Sequence, residues 1–292
     1  MTLFEPEEPA REAGPGGRPG GEAGPGGRPD GTVRVRLTVA YDGTGFHGFA
    51  AQPGQTTVGG TLAEAIEKVV GHAVSLTCAG RTDSGVHAWG QVVHADLAPA
   101  RGSLDLEALV RSCNAMLAPA IVVREAAVAP VGFDARRSAV SRRYRYSVLN
   151  SPTPDPFLAT TAWHVEDPLD LRAMEQASDP LLGEHDFSTF CRRPPDGGSL
   201  VRRVLDARWT RGHGGLGEGD VLRFEMAATA FCHQMVRSVV GTLVEVGRGR
   251  KRAGDLSWVL RSGDRALAGS PAPPHGLCLW AVTYPEDGAS PR

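Results

Sequence analysis

The sequence has no apolar run approaching the roughly eighteen residues a membrane-spanning helix needs, and no apolar stretch follows its first methionine. Neither a membrane partner nor a secretory signal is expected, which fits a cytoplasmic protein. Cysteine is sparse: Cys78, Cys113, Cys191, Cys232 and Cys278 are scattered and odd in number, with no C-x-x-C pair. That pattern argues against a structural zinc site or a disulfide framework, so no metal is expected and the thiols read as buried and reduced. Lysine is nearly missing, with only Lys68 and Lys251. Residues 1–31 end in a near-repeat, EAGPGGRPGG then EAGPGGRPDG, that lacks large apolar side chains. Such a segment cannot bury enough surface to offset its ordering entropy and reads as a disordered Gly/Pro-rich tail.

What remains is large enough for one big domain or two ordinary ones, and 41% hydrophobic residues allow a sizeable core. The net charge of −2 hides an uneven distribution. The tail holds six acids and three arginines, so the body carries a slight positive excess. Its cations come in clumps: one spans Arg136 to Arg145, another Arg202 to Arg211, and a third Arg248 to Arg252. Local basic patches matter more for phosphate binding than the total does. A compositional bias toward arginine explains the Arg/Lys ratio but not the clumping.

Alternation in 33–43 marks a half-buried strand. Helical spacing over 61–71 has a capping-box pattern at Thr61 and Glu64, and a second amphipathic helix spans 105–117. Further strands are expected at 74–79, 90–97, 121–129 and 142–150. The Pro-rich NSPTPDPF (150–157) is the best boundary, dividing a 32–150 subdomain from a 151–286 subdomain, with a short tail at 287–292. Beyond it the pattern predicts helices at 170–182, 231–246 and 255–262, and strands at 200–211, 220–228 and 276–284. The order implies an α+β fold: two ferredoxin-like (RRM-like) subdomains whose mainly antiparallel sheets join into one, with helices on one side.

Three stretches carry chemistry. CAGRTDSGVHAWGQ (78–91) places Arg81, Asp83, Gly85 and His87 between two strands. Thr-Asp-Ser-Gly is ordinary turn chemistry, with Asp closing an Asx-turn and Gly at positive φ. An arginine two residues away favours the charged carboxylate, and an ionised Asp at a strand end suits a nucleophile or base. His87 alone reads more readily as a structural histidine. In RRYRY (142–146), Tyr144 and Tyr146 share one strand face, with Arg143 and Arg145 on the other. Aromatics interleaved with arginines suit base stacking and phosphate binding, and equally suit a half-buried edge strand. In FCHQMVRSVVGTLVEVG (231–247), Met235, Val239, Leu243 and Val246 form an apolar stripe. Arg237 lies among apolar neighbours and needs an anionic partner if it points inward, for which Asp83 is a candidate. Cys232 and His233 have no companion pair and do not make a metal site.

Taken together, these stretches resemble the tRNA pseudouridine synthase A family from Val33 to Pro285. AYDGTGFHGFAAQP, TVGGTLAEAI, GRTDSGVHAWGQVVH, FDARRSAVSRRYRY, GEHDFSTFC, FCHQMVRSVVGTLVEVG and APPHGLCLWAVTYP all match, in the family's order. The resemblance implies conversion of uridine to pseudouridine at positions 38, 39 and 40 of the tRNA anticodon stem-loop, by a homodimer with no metal or organic cofactor. Carried over by position, Asp83 is the catalytic aspartate, Arg81 belongs to the same motif, Tyr144 stacks on the target base and Arg237 pairs with the aspartate. Arg143, Arg145 and His87 are expected to help bind the substrate. Three positions depart from the pattern: Ser84 for alanine, whose hydroxyl would compete for the carboxylate, Phe49 for tryptophan and Asp134 for histidine.

Two other readings stand beside it. A non-catalytic RNA-binding module needs the aromatic-basic strand but not Arg81-Thr82-Asp83. A glycosidase or nucleosidase ordinarily uses two carboxylates, and only Asp42 and Asp186 offer themselves as the second.

Overall fold

The computed structural model describes residues 31–98, 103–193, 197–213 and 219–285. Apart from Gly31, the expected N-terminal tail lies outside the described residues, as does 287–292. The described residues form ten strands and five α-helices, an α+β fold as expected.

The first half runs β1 (Val33–Tyr41), α1 (Val58–Val70), β2 (Thr77–Cys78), β3 (His87–Leu97), α2 (Leu106–Leu117) and β4 (Ile121–Val128). The second runs β5 (Ser141–Asn150), β6 (Trp163–Val165), α3 (Leu171–Ser178), β7 (Gly183–Asp186), β8 (Val201–His213), β9 (Asp220–Ala228), α4 (Met235–Gly247), α5 (Asp255–Ser262) and β10 (Leu277–Thr283). All ten strands share one sheet, ordered β4-β1-β3-β10-β5-β9-β8-β7, with β2 on β3 and β6 on β5. The last strand therefore sits in the middle. It runs parallel to β3 over Cys278↔His87 and Leu279↔Ala88, and antiparallel to β5.

Period-two patterning explains the strands. Val35, Leu37 and Val39 of β1 face the core with Val93, Ala95 and Leu97 of β3. Helix starts differ from the expected ones. Helix α1 begins at Val58, and Thr57, not Thr61, caps it by accepting from the Gly60 N–H at 3.2 Å. Gly59 and Gly60 resemble a break in sequence, yet Gly59 is where the helix backs onto the Phe49 carbonyl, leaving no room for a Cβ. Helix α4 begins at Met235 because Gln234 takes a left-handed conformation (φ 64°), so 231–234 is a loop and not a helical turn. The expected strand at 74–79 shrinks to two residues, and β6 and β7 had no sequence signal.

Helix α4 is buried nearly all round, as a central helix should be. The 268–272 segment is laid along it: Gly269 N–H donates to Thr242 Oγ1 (2.8 Å) and Ala272 N–H to the Arg237 carbonyl (2.9 Å). Gly241 makes this approach possible, because a Cβ there would overlap the Ser270 carbonyl oxygen. On the opposite sheet face, Glu225 of β9 accepts from Arg145 (2.6 and 2.9 Å) and Arg208 (2.8 Å), and Arg143 and Arg208 share Asp206. Burial alone would raise the Glu225 pKa. The Arg145 hydrogen bond and the charges of Arg145, Arg208 and Arg143 outweigh it and hold the group below 4.5.

Two stability measurements check these contacts. Gly241→Ala should destabilise the protein by about 1–3 kcal/mol through overpacking, read as a lower thermal midpoint. A carboxylate with a depressed folded pKa stabilises above its unfolded value, and that stability fades as pH falls through the folded one. Glu225→Gln should therefore flatten the loss of stability in denaturant titrations as pH drops below about 4.5.

Candidate active site

The loop between β2 and β3 carries Asp83, and it is fixed from beneath. Thr82 is buried, and its hydroxyl is 2.7 Å from the Tyr41 hydroxyl. Its carbonyl accepts from the Phe49 N–H at 3.1 Å. Gln91, wholly buried on β3, donates to the Gly80 carbonyl at 2.7 Å. Gly85 takes the expected positive φ (76°), and a Cβ there would stand 3.1 Å from Pro274 Cγ. The turn closes through main chain, with the Val86 N–H donating to the Asp83 carbonyl at 3.1 Å. The Asp83 carboxylate is thus not spent on an Asx-turn.

Instead it faces the second half of the chain. Asp83 Oδ1 lies 3.3 Å from His233 Nε2, and Oδ2 lies 3.6 Å from Arg237 Nη1. Arg237 is itself aimed by its Nε–H, which donates to the Ala272 carbonyl at 2.7 Å. The carboxylate stays 32% exposed, so it has partners on one side and an open approach on the other. Tyr144 lies nearby on β5, its hydroxyl close to Gly80 and its ring edge-on to Phe231 (4.8 Å, 80°). Burial, and then the charge of Asp83, push the Tyr144 pKa well above its ordinary value, keeping the phenol protonated.

The other expected site residues are not gathered here. Arg81 is exposed and makes no ion pair with Asp83 among the described residues; Arg237 and His233 take that place. Arg143 and Arg145 point away from Tyr144 into the Asp206 and Glu225 network, as strand alternation dictates. His87 is buried: its Nε2 lies 2.9 Å from the carbonyls of Thr160 and His275, and its Nδ1 lies 3.0 Å from both the Gly43 N–H and Asp42. It ties chain segments together and does not front the open side of Asp83. Ser84 does not compete for the carboxylate, since its hydroxyl donates to the Phe46 carbonyl at 3.1 Å. Asp134 caps the backbone N–H groups of Arg136 and Arg137. Neither rival carboxylate serves Asp83: Asp42 sits by His87, and Asp186, the last residue of edge strand β7, accepts from the Ser188 N–H.

Two site residues escaped the sequence reading. His233 sits in the 231–234 loop just before the helix of Arg237, and its only sequence signal is its place beside Cys232. Arg142 shares the Tyr144 face of β5, and its guanidinium donates to the carbonyls of Ala79 (3.0 Å), Arg136 (2.6 Å) and Thr229 (2.9 Å). It staples the Asp83 loop to the loops before β5 and after β9. Among the described residues no group of three or more His, Cys, Asp or Glu could hold a metal ion, and no helix is long and apolar enough to cross a membrane.

Comparison with known proteins gives the family. A family model described as tRNA pseudouridine synthase matches residues 37–136 and 177–285. The tRNA pseudouridine synthase A of Frankia casuarinae is 47% identical over 261 residues, covering 88% of this chain and 91% of its own. Its counterpart in Halalkalibacterium halodurans is 41% identical, covering 84% and 90%. That of Mycobacterium leprae is 41% identical, covering 87% and 91%. With both halves of the sheet matched over most of their length, the chain belongs to the tRNA pseudouridine synthase family, a family of isomerases.

Proposed function

We propose that this protein isomerises uridine to pseudouridine at positions 38, 39 and 40 of the tRNA anticodon stem-loop, with Asp83 as the reacting carboxylate. The observation that carries the reading is the Asp83 side chain: free of its own turn, held by Arg237 and His233, and open on one side. The names of the relatives supply the substrate class.

The reaction is redox-neutral. The N1–C1′ bond breaks, uracil rotates, C5 bonds to C1′, and a proton leaves C5 as one is gained at N1. A carboxylate opens this sequence by attack on C1′, by removal of the 2′ proton or by addition to C6, and each route begins at Asp83. Arg237, itself aimed by the Ala272 carbonyl, orients the carboxylate. The target nucleotide must first leave its stack, at a cost of a few kcal/mol. Tyr144, its ring plane set by Phe231, is the proposed stacking partner. Exposed Arg81, Arg192 and Arg265 surround the loops that carry Asp83 and His233, a fitting rim for RNA phosphates. The reading includes a homodimer, carried over from the family resemblance, acting in the cytoplasm, as the scattered, unpaired cysteines suggest.

Asp83→Asn and Asp83→Ala should abolish tritium release from 5-tritiated uridine in unmodified tRNA while binding persists in a filter assay. Normal release by either variant would remove Asp83 from the reaction. Arg237→Ala should lower kcat by on the order of 10²-fold, as expected for loss of an oriented charged partner, with a smaller change in KM. Full activity with an unchanged pH–rate profile would dismiss the ion pair.

A further inference from the structure

Cys191 and Cys232 are far apart in sequence but adjacent in space. Cys191 follows the 3-10 turn Ser188–Phe190, and Cys232 lies in the loop between β9 and α4. The two segments are joined by main chain, with the Arg192 N–H donating to the His233 carbonyl at 3.2 Å. That bond sets the two residues side by side; the Cys232 S–H reaches the Leu200 carbonyl at 3.8 Å, and hydrogen bonding between the two thiols pushes the Cys191 pKa up and the Cys232 pKa down. Cys191 is 2% exposed, whereas Cys232 is half-buried and open to a small reagent.

The surroundings favour a thiolate on Cys232. The hydrogen bond from Cys191 lowers its pKa despite burial, and the charge of Arg202 acts in the same direction. Arg202 supplies an independent sign: its Nε is buried and has no hydrogen-bond partner among the described residues. Its Nη1 donates to the Ser199 and Val201 carbonyls (2.8 and 2.6 Å), which hold the guanidinium where its charge favours negative charge on the Cys232 sulfur. The position also matters, because Cys232 directly precedes His233, which touches Asp83, and Gln234, held at positive φ.

We propose that Cys191 and Cys232 are an oxidation site, forming a reversible disulfide on exposure to hydrogen peroxide, and that closing it draws His233 off Asp83 and slows the enzyme. The Cys232 thiolate attacks one peroxide oxygen, the O–O bond breaks, and hydroxide leaves to become water, giving a sulfenic acid. Cys191 then attacks that sulfur, the S–O bond breaks, and a second water departs with the Cys191 proton. The two sulfurs together lose two electrons, and one peroxide becomes two waters. A dithiol reductant reverses the bond by exchange. An S–S bond of about 2.05 Å is far shorter than any S–H···S contact, so the 231–234 loop must shift when it forms.

The cross-link does not depend on the proposed reaction; its effect on turnover does. Full-length protein exposed to peroxide, alkylated and digested should keep three of its five thiols and yield one Cys191–Cys232 peptide, lighter by two hydrogens. Dithiothreitol should return all five. Tritium release should fall about tenfold or more, as sub-ångström misplacement at an active site can cause, and recover on reduction, while Cys191→Ser stays active after the same treatment. The His233 ring-proton NMR signal should move between the two forms, which reads the coupling to the site without any substrate. Five intact thiols, a bridge between other cysteines, or a 191–232 bridge that leaves the His233 signal unmoved would each overturn the proposal. Reduced protein that releases no tritium would count against the pseudouridine reading alone, leaving thiols and His233 to decide this one.

Discussion

The placement of the C-terminal strand constrains everything else. Strand β10 is wedged between β3 of the first half and β5 of the second, and its register with β3 spans only two residue pairs. So short a parallel ladder cannot fix the two halves by itself. Side chains complete the seam: His87 reaches the carbonyls of Thr160 and His275, Arg142 gathers four loop carbonyls, and Asp83 meets Arg237 and His233. His87 is buried and Arg142, Asp83 and Arg237 are half-buried, while His233 closes the seam from its exposed side. Breaking one leaves a desolvated partner, so the seam resists partial opening. The proposed active site is part of this seam, which makes the carboxylate's geometry depend on how the whole sheet is assembled.

Arg237 illustrates how that dependence is built. Its helix is located by Gly241 and Thr242 against 268–272, and the same segment receives its Nε–H through the Ala272 carbonyl. The strand that follows is β10. One stretch of chain therefore positions the guanidinium and then closes the sheet, so an error in either would be felt in both.

Much of this was legible in the sequence because it is local. Alternation in VRVRLTVAY and RRYRY gave the strands and assigned Tyr144 and Arg145 to opposite faces. Thr-Asp-Ser-Gly gave the loop and the positive φ at Gly85. What failed was non-local or depended on backbone conformation. Arg81 was chosen as a partner of Asp83 by closeness in sequence, but the carboxylate is turned toward α4, some 150 positions away. The start of α4 was misjudged because nothing in FCHQ announces a left-handed glutamine. His233 reaches Asp83 from the 231–234 loop, and nothing local in FCHQ singles it out. The RRYRY arginines were legible as a face but not as a network, since their acids come from β8 and β9.

The balance of burial at the site bears on its chemistry. Tyr144 is held protonated by burial and by the Asp83 charge, so its hydroxyl is a poor resting base for the C5 proton. Ionising it would place a second negative charge beside the first in a low-dielectric pocket, which strengthens the repulsion. On the proposed reaction, that proton then leaves to water or to Asp83 once the carboxylate has been released from the sugar or base. Asp83 suits both tasks because it is gripped from one side only: Arg237 and His233 hold it, and a third of its surface stays open to the nucleotide.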